Sequence, residues 1–479
     1  MYTSLWTTLC ALVLAASICA AIEVPEPIVL KKDEHEKAQF GYEPEYICNT
    51  PSFDSHNRPY IRSRGLDLHE TGHFETLRDG QWVKRSFVEA VKECYPDFER
   101  FDRGAGWYYT HAVFDDHDNL YSIVRVKLKD NGTTAALLFS RDYGNTFECY
   151  DLPGRSMNIE LRTDTHALPG PPLIATMEKV ADHPTARWGA YYRLLLTLPV
   201  VTDDGLEFSE PVAATEKCFG MCQHSGGASF ATTIGSKTHI TWAEMREEDD
   251  LPGSPTFTAT YDRETRTVSD PVFVGYAPPV NDVHNTPGIC ADSDGYVHVV
   301  TGAHGDHFYH YKSKQPNDLT EGFEEAVEML DFGFEHPRPE EEKRPNRPAR
   351  QTYLGLLCDP DDTLHAAFRW WIRSEDDPYH PGQTYASLGY QKKPQGEEWT
   401  DARKLVVAVA HGYSNYHAKL AMDRNGRLYI SYSYFNKQPN WVYGENPSHY
   451  NFPAILTSGD GGETWELAET SHFDEGVLE

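Results

Sequence analysis

The chain repeats itself. Roughly every 50–65 residues the same unit returns, an apolar strand, a tight Asp/Gly/Asn turn and a second apolar strand, the spacing of a radial or solenoid array. Six copies are plain: CNTPSFDSHNRPYIRSR from Cys48, HAVFDDHDNLYSIVRV from His111, HSGGASFATTIGSKTHITWAEM from His224, HNTPGICADSDGYVHVVTGAH from His284, YLGLLCDPDDTLHAAFRWW from Tyr353 and HAKLAMDRNGRLYISYSYF from His417. A weaker copy starts at Pro172. Each unit is too small to bury its own apolar face, so neighbours must stack.

Two further motifs, SRDYGNTF (residues 140–147) and SGDGGETW (residues 458–465), fit the Asp box, a hairpin turn whose Asp, Ser and Thr satisfy the turn backbone above a packed aromatic. They read as structural. Helical periodicity is scarce, with one candidate at residues 85–95. Alternating strands and Asp-Gly or Asn-Gly turns dominate elsewhere. Seven four-stranded units of this length account for nearly the whole chain, and the expectation is an all-β, seven-bladed β-propeller in a single domain over residues 22–479. The Pro-rich insert at residues 335–350 reads as an ordered loop within it.

Residues 1–21 are apolar, carry no charged side chain and end in small residues, which reads as a secretory signal peptide and predicts a secreted, monomeric protein. No later stretch approaches the ~18 apolar residues of a membrane span. The net charge of -30 excludes nucleic acid as a partner and requires that any polyanion be drawn by a local basic site. Of the cysteines beyond the signal, Cys218 and Cys222 form a plausible local disulfide in an oxidising compartment.

In a propeller the start of each innermost strand and the end of the next lie at one mouth of the central channel. Strand starts supply His111, His224, His284, Tyr353 and His417, and return-strand ends supply His304 and Arg369. Tyr353 and His417 stand six residues before their turn Asp and His284 stands eight before, so even offsets put them on equivalent pleat faces, converging on a wet concave surface. No carboxylate pair accompanies them, so two-carboxylate glycoside hydrolysis is poorly served. Histidine and tyrosine can move protons while arginine orients a carboxylate. That set suits β-elimination next to a uronic acid. A cation beside Tyr353 would ease its action as a base.

The pattern His284-Asn-x-Pro, His304 twenty residues on, then Tyr353 and Arg369 sixteen beyond it, resembles the BNR-repeat propeller polysaccharide lyases, the ulvan lyases and rhamnose–glucuronate lyases among them. The resemblance is strongest over residues 280–435. It implies a seven-bladed fold and eliminative cleavage of an acidic polysaccharide, with His284, His304, Tyr353 and Arg369 catalytic and a further Tyr, Tyr413 or Tyr416, near the substrate. His111, His224 and His417 are expected to line the channel or bind sugar hydroxyls. No cofactor is needed for such chemistry, and a structural calcium or zinc ion has no assignable ligands. Two alternatives stand beside it: a sialidase-like hydrolase, to which Asp boxes point but an Arg-Ile-Pro start and arginine triad are missing, and a non-catalytic carbohydrate-binding propeller. His69-Glu-Thr-Gly-His73 spells the zincin pattern HExxH. Its Gly72 and strand-like flanks argue against the helix that chemistry needs, placing it in a peripheral hairpin.

Overall fold

The computed structural model describes residues 28–29, 45–48, 51–65, 73–86, 90, 93, 112–127, 133–152, 156–161, 170–184, 186, 189–220, 228–248, 250–330, 349–375, 377–407, 415–435 and 451–473. The signal-like residues 1–21 and most of the 335–350 insert lie outside them. The protein is all-β. Of the helix expected at residues 85–95, Arg85 and Ser86 instead end strand Gln81–Ser86, Ala90 and Glu93 have helical backbone, and the others lie outside the described residues.

The strands form antiparallel meanders, each from one contiguous stretch of chain except the sheet of Ala349–Cys358, which also takes His304–Asp306 on one side and Ile28–Val29, parallel to Arg403–Val407, on the other. Strands Ala112–Phe114, Leu120–Lys127, Thr133–Ser140 and Glu148–Leu152 make one in simple order; Asn415–Met422, Leu428–Phe435, Asn451–Ser458 and Glu466–Leu467 make another. Equivalent sheets begin at Glu45, Ser156, Ala231, Gly288 and Ala349.

The turn chemistry explains why the repeat folds this way. At Asp54, Asp115, Asp359 and Asp423 one carboxylate oxygen accepts from the backbone N–H groups two and four residues on, at 2.8–3.0 Å. The third residue after the Asp adopts the left-handed conformation: Asn57, Asp118, Asp362 and Gly426, with φ of 59–81°. Only Gly, Asn and Asp enter that region cheaply, which is why the turns are written in those letters. At Asp115, Asp292, Asp359 and Asp423 the second carboxylate oxygen is bonded by a side chain six residues on, Tyr121, His298, His365 or Tyr429, on the return strand, whereas that of Asp54 accepts from Arg58 Nε–H. The His and Tyr letters of these return strands are thus structural.

These turns also join sheets. Ser55 donates its N–H and hydroxyl to Asp118 of the next turn, at 2.7 Å each. Ser293 does the same to Asp362, and Arg424 N–H donates to Asn57 Oδ1. The last link ties the C-terminal sheet to the N-terminal one. Apolar packing agrees: Phe53, Ile61 and Leu77 share a core with Tyr429, Ile455 and Phe473, as each earlier sheet does with its successor. The chain therefore closes into a ring in which each sheet covers its apolar faces against its two neighbours.

Both Asp boxes are built as expected. Asp142 accepts from Ser140, from Thr146 N–H and from the Thr146 hydroxyl, Asp460 accepts likewise from Ser458 and Thr464, and Phe147 packs underneath the first. One cysteine expectation is overturned. Cys218 is a free, fully buried thiol, pushed up to about 12 by that burial, with no bond to Cys222. Cys149 is disulfide-bonded instead.

Candidate active site

His284, His304, Tyr353 and Arg369 do come together, though not as strand parity alone foretells. His284 sits in the turn before strand Gly288–Ala291 and not on the strand. Its ring centroid lies 4.4 Å from that of His304 and 6.2 Å from that of Tyr353. His304 opens the short strand His304–Asp306, which leaves its own sheet and pairs with Ala349–Cys358 of the next, His304 opposite Thr352. That crossing delivers the second histidine beside Tyr353.

Tyr353 lies in a β-bulge. Thr352 faces Arg369 and Gly355 faces Ala367, so three steps on one strand oppose two on its neighbour. Its φ is +63°, a conformation that costs a bulky side chain of order 1–3 kcal/mol and marks an over-determined position. Bulges re-aim side chains, and this one turns the phenol ring onto Arg369, whose guanidinium carbon is 4.1 Å from the ring centroid. Arg369 is fully buried and Tyr353 nearly so, at 0% and 2% exposure. This corrects the expectation of four residues on a wet surface: the partly exposed histidines face solvent, and the Tyr–Arg pair lies beneath. Trp371 also flanks the guanidinium, at 5.2 Å, while Trp370 packs in the core.

Sequence reasoning missed Asp282. One of its carboxylate oxygens takes His284 Nδ1 at 2.6 Å and the other takes His304 Nδ1 at 2.7 Å. Burial pushes this carboxyl upward, but the hydrogen bonds and charge of both histidines more than offset it and hold the group well below the usual carboxylate range. Burial, His284 and Arg369 outweigh Asp282 to lower His304 below its ordinary value, so the ring is neutral at pH 7. A neutral ring that donates Nδ1–H to Asp282 keeps the lone pair on Nε2. The signal for Asp282 was available in the letters Asp-Val-His, two residues ahead of a chosen histidine.

Asp282, His284 and His304 are also close enough to share a cation. Their 2.6–2.7 Å contacts are hydrogen-bond lengths, shorter than the roughly 3.3 Å between ligands on a tetrahedral ion with ~2.0 Å bonds, so a cation would have to spread them. His307 and His310, three and six residues beyond His304, do not join this group: His307 bonds Glu328, and His310 bonds His298 in a separate buried pair. Tyr416 and His417 lie on strand Asn415–Met422 without described side chains, and His111, His224 and Tyr413 lie outside the described residues. His73 begins strand His73–Arg78, so the HExxH letters do not end on a helix. His69, Glu70 and Gly72 lie outside the described residues.

Residues 255–470 match the model described as a BNR repeat-containing family member. The BNR-repeat resemblance thus holds over the sheets that build the site. No curated protein matches the chain. Among solved structures, it is similar to an ulvan lyase (10% identity, 87% of this chain and 95% of that one, TM-score 0.45). It is also similar to a Trypanosoma rangeli sialidase in complex with sialic acid (11%, 86% and 60%, TM-score 0.40) and a Penicillium chrysogenum alpha-L-arabinanase (11%, 73% and 92%, TM-score 0.37). No described helix is long and apolar enough to cross a membrane.

Proposed function

We propose that this BNR-repeat chain is a secreted polysaccharide lyase that cleaves a uronate-containing polysaccharide, of the ulvan or rhamnose–glucuronate type, by β-elimination on a single-domain, seven-bladed propeller. Successive four-strand units, a shared core between neighbours and the last-to-first closure support the blade count. The observation that carries the chemistry is the Asp282 carboxylate bridging two histidines beside a tyrosine stacked on a buried arginine.

The uronate carboxylate docks at His304, the more exposed histidine. An anion there favours the protonated ring, so binding takes up a proton and neutralises the carboxylate. That withdraws charge and acidifies C5–H. His284 and Tyr353 then divide the two proton transfers: one takes the C5 proton, whose electron pair forms the C4=C5 double bond as the C4–O4 bond breaks, and the other protonates the departing O4. Arg369 acts through Tyr353, on whose ring it stacks, stabilising negative charge on the phenol oxygen. His111, His224, Tyr413, Tyr416 and His417 remain candidates for sugar binding along the channel mouth.

The test is to incubate the protein with uronate polysaccharides and follow the ultraviolet absorbance of the unsaturated 4,5-bond. The expected result is a signal lost in His284→Ala and Tyr353→Phe with the melting temperature preserved. New reducing ends without that absorbance would replace elimination by hydrolysis, and binding without cleavage would leave a lectin.

A further inference from the structure

The opposite ends of the strands carry a second feature. The candidate active site lies where innermost strands begin, whereas the Asp turns and Asp boxes lie at the other face. There, between the first two sheets, is a cleft of about 420 Å³ lined by Arg58, Arg78, Arg141, Asp118, Asp142 and Tyr143 among others. Three arginines around one cleft are unexpected in a chain of net charge -30.

Each arginine is anchored along part of its fork. Arg58 donates Nε–H to Asp54 at 2.6 Å and lies 4.3 Å above the Tyr143 ring. Arg78 donates one Nη2–H to Asn145 Oδ1 at 2.6 Å. Arg141 donates from Nη2 to the carbonyls of Thr202 and Gly205. Among the described residues the other donors of these forks have no hydrogen-bond partner, and the side chains reach solvent. The two acids, by contrast, are committed: Asp118 accepts from Ser55 and His56, and Asp142 from its Asp-box partners. Those bonds outweigh burial and hold both carboxyls low. The cleft thus offers fixed, planar donor edges and no uncommitted acceptor among these acids. Such forks match a carboxylate bidentately, and the volume admits a sugar or two.

We infer that this far-face cleft is a second, non-catalytic subsite for the carboxylate of an acidic saccharide, holding a polymer at a distance from the site where it is cut. The inference rests on the carbohydrate reading above, but its test does not depend on turnover. An oligoglucuronate of four residues is titrated calorimetrically into Tyr353→Phe protein, with a neutral oligosaccharide and a sulfated neutral one as parallel probes.

The expected result is two uronate sites per chain, one of which weakens at least tenfold in Arg78→Gln/Arg141→Gln, with the neutral probe silent. Arg141→Lys, which keeps charge but loses the fork, should weaken that same site severalfold and guards against a double variant that unfolds. Two sites unchanged in the arginine variants overturn the inference. So does equal binding of the neutral probe, or a preference for the sulfated one. A single site that the arginine variants abolish upholds the cleft while removing the proposed uronate docking at His304.

Discussion

Asp282 can make two histidines act as one unit because both its oxygens are occupied. Replacing it by Asn keeps the shape but changes the hydrogen count: the amide accepts from one ring and must donate to the other. One imidazole is then forced into the tautomer with its proton on Nε2, removing the lone pair where the base needs it. Asp282→Asn is expected to lower kcat/KM about 100-fold or more, with little change in melting temperature. Nitrogen-15 spectra of the histidine rings should show one ring switching tautomer. Unaltered tautomers with lost activity would assign Asp282 a different role.

At this scale the sequence was legible in part. The repeat and its turn offsets singled out His284, His304, Tyr353 and Arg369 from 22 histidines and many aromatics, and the four lie together. Tyr353 nevertheless does not keep the pleat face that its even offset implies, because a bulge shifts the count between Thr352 and Gly355. Bulges are set by the partner strand's register, which the local letters do not carry. Burial of Arg369 was hidden for a similar reason: only the neighbouring sheet decides that the guanidinium is covered by Tyr353 and Trp371.

The element scale explains what the bulge is for. The equivalent strand of the next sheet, Asn415–Met422, carries one a single residue further from its turn, where Asn415 faces Tyr434 and Ala418 faces Tyr432. Turns and boxes fix the far ends of these strands, leaving the near ends free to deviate. Ser458 is buried; its hydroxyl donates to Asp460 Oδ1 at 2.8 Å and accepts from Gly462 N–H at 2.9 Å. Ser458→Ala should cost about 1–2 kcal/mol in urea unfolding and leave turnover unchanged.

Between sheets, His239 bonds Thr260 and Asn317 and is fully buried. Burial is the main cause that lowers it to about 4. The unfolded chain then binds a proton at about pH 6.5 that the folded chain refuses until about pH 4, so stability falls as pH drops through that window. The loss from this group is about 3 kcal/mol, and denaturant titrations at pH 7 and pH 4 should show it reduced by that amount in His239→Gln.

For the whole molecule, closure and charge pull in different directions. Phe473 packs against Phe53, Tyr429 and Trp82, so it joins the two ends of the chain. Phe473→Ala should cost about 3–5 kcal/mol, and because it opens the ring it should uncover apolar sheet faces and promote association, seen as a concentration-dependent sedimentation coefficient. The net charge of -30 meanwhile repels the acidic polymer that the proposed site must admit. A long-range repulsion is screened once the Debye length falls to ~10 Å at 0.1 M salt, while the close contacts at His304 and the arginine cleft are screened far less. Raising salt from about 10 to 100 mM should therefore increase kcat/KM on polyuronate severalfold and leave kcat unchanged, the reverse of the trend for an enzyme that steers its substrate with a basic surface. A kcat/KM that falls over that range would mean that the local basic groups, and not the global field, govern the encounter.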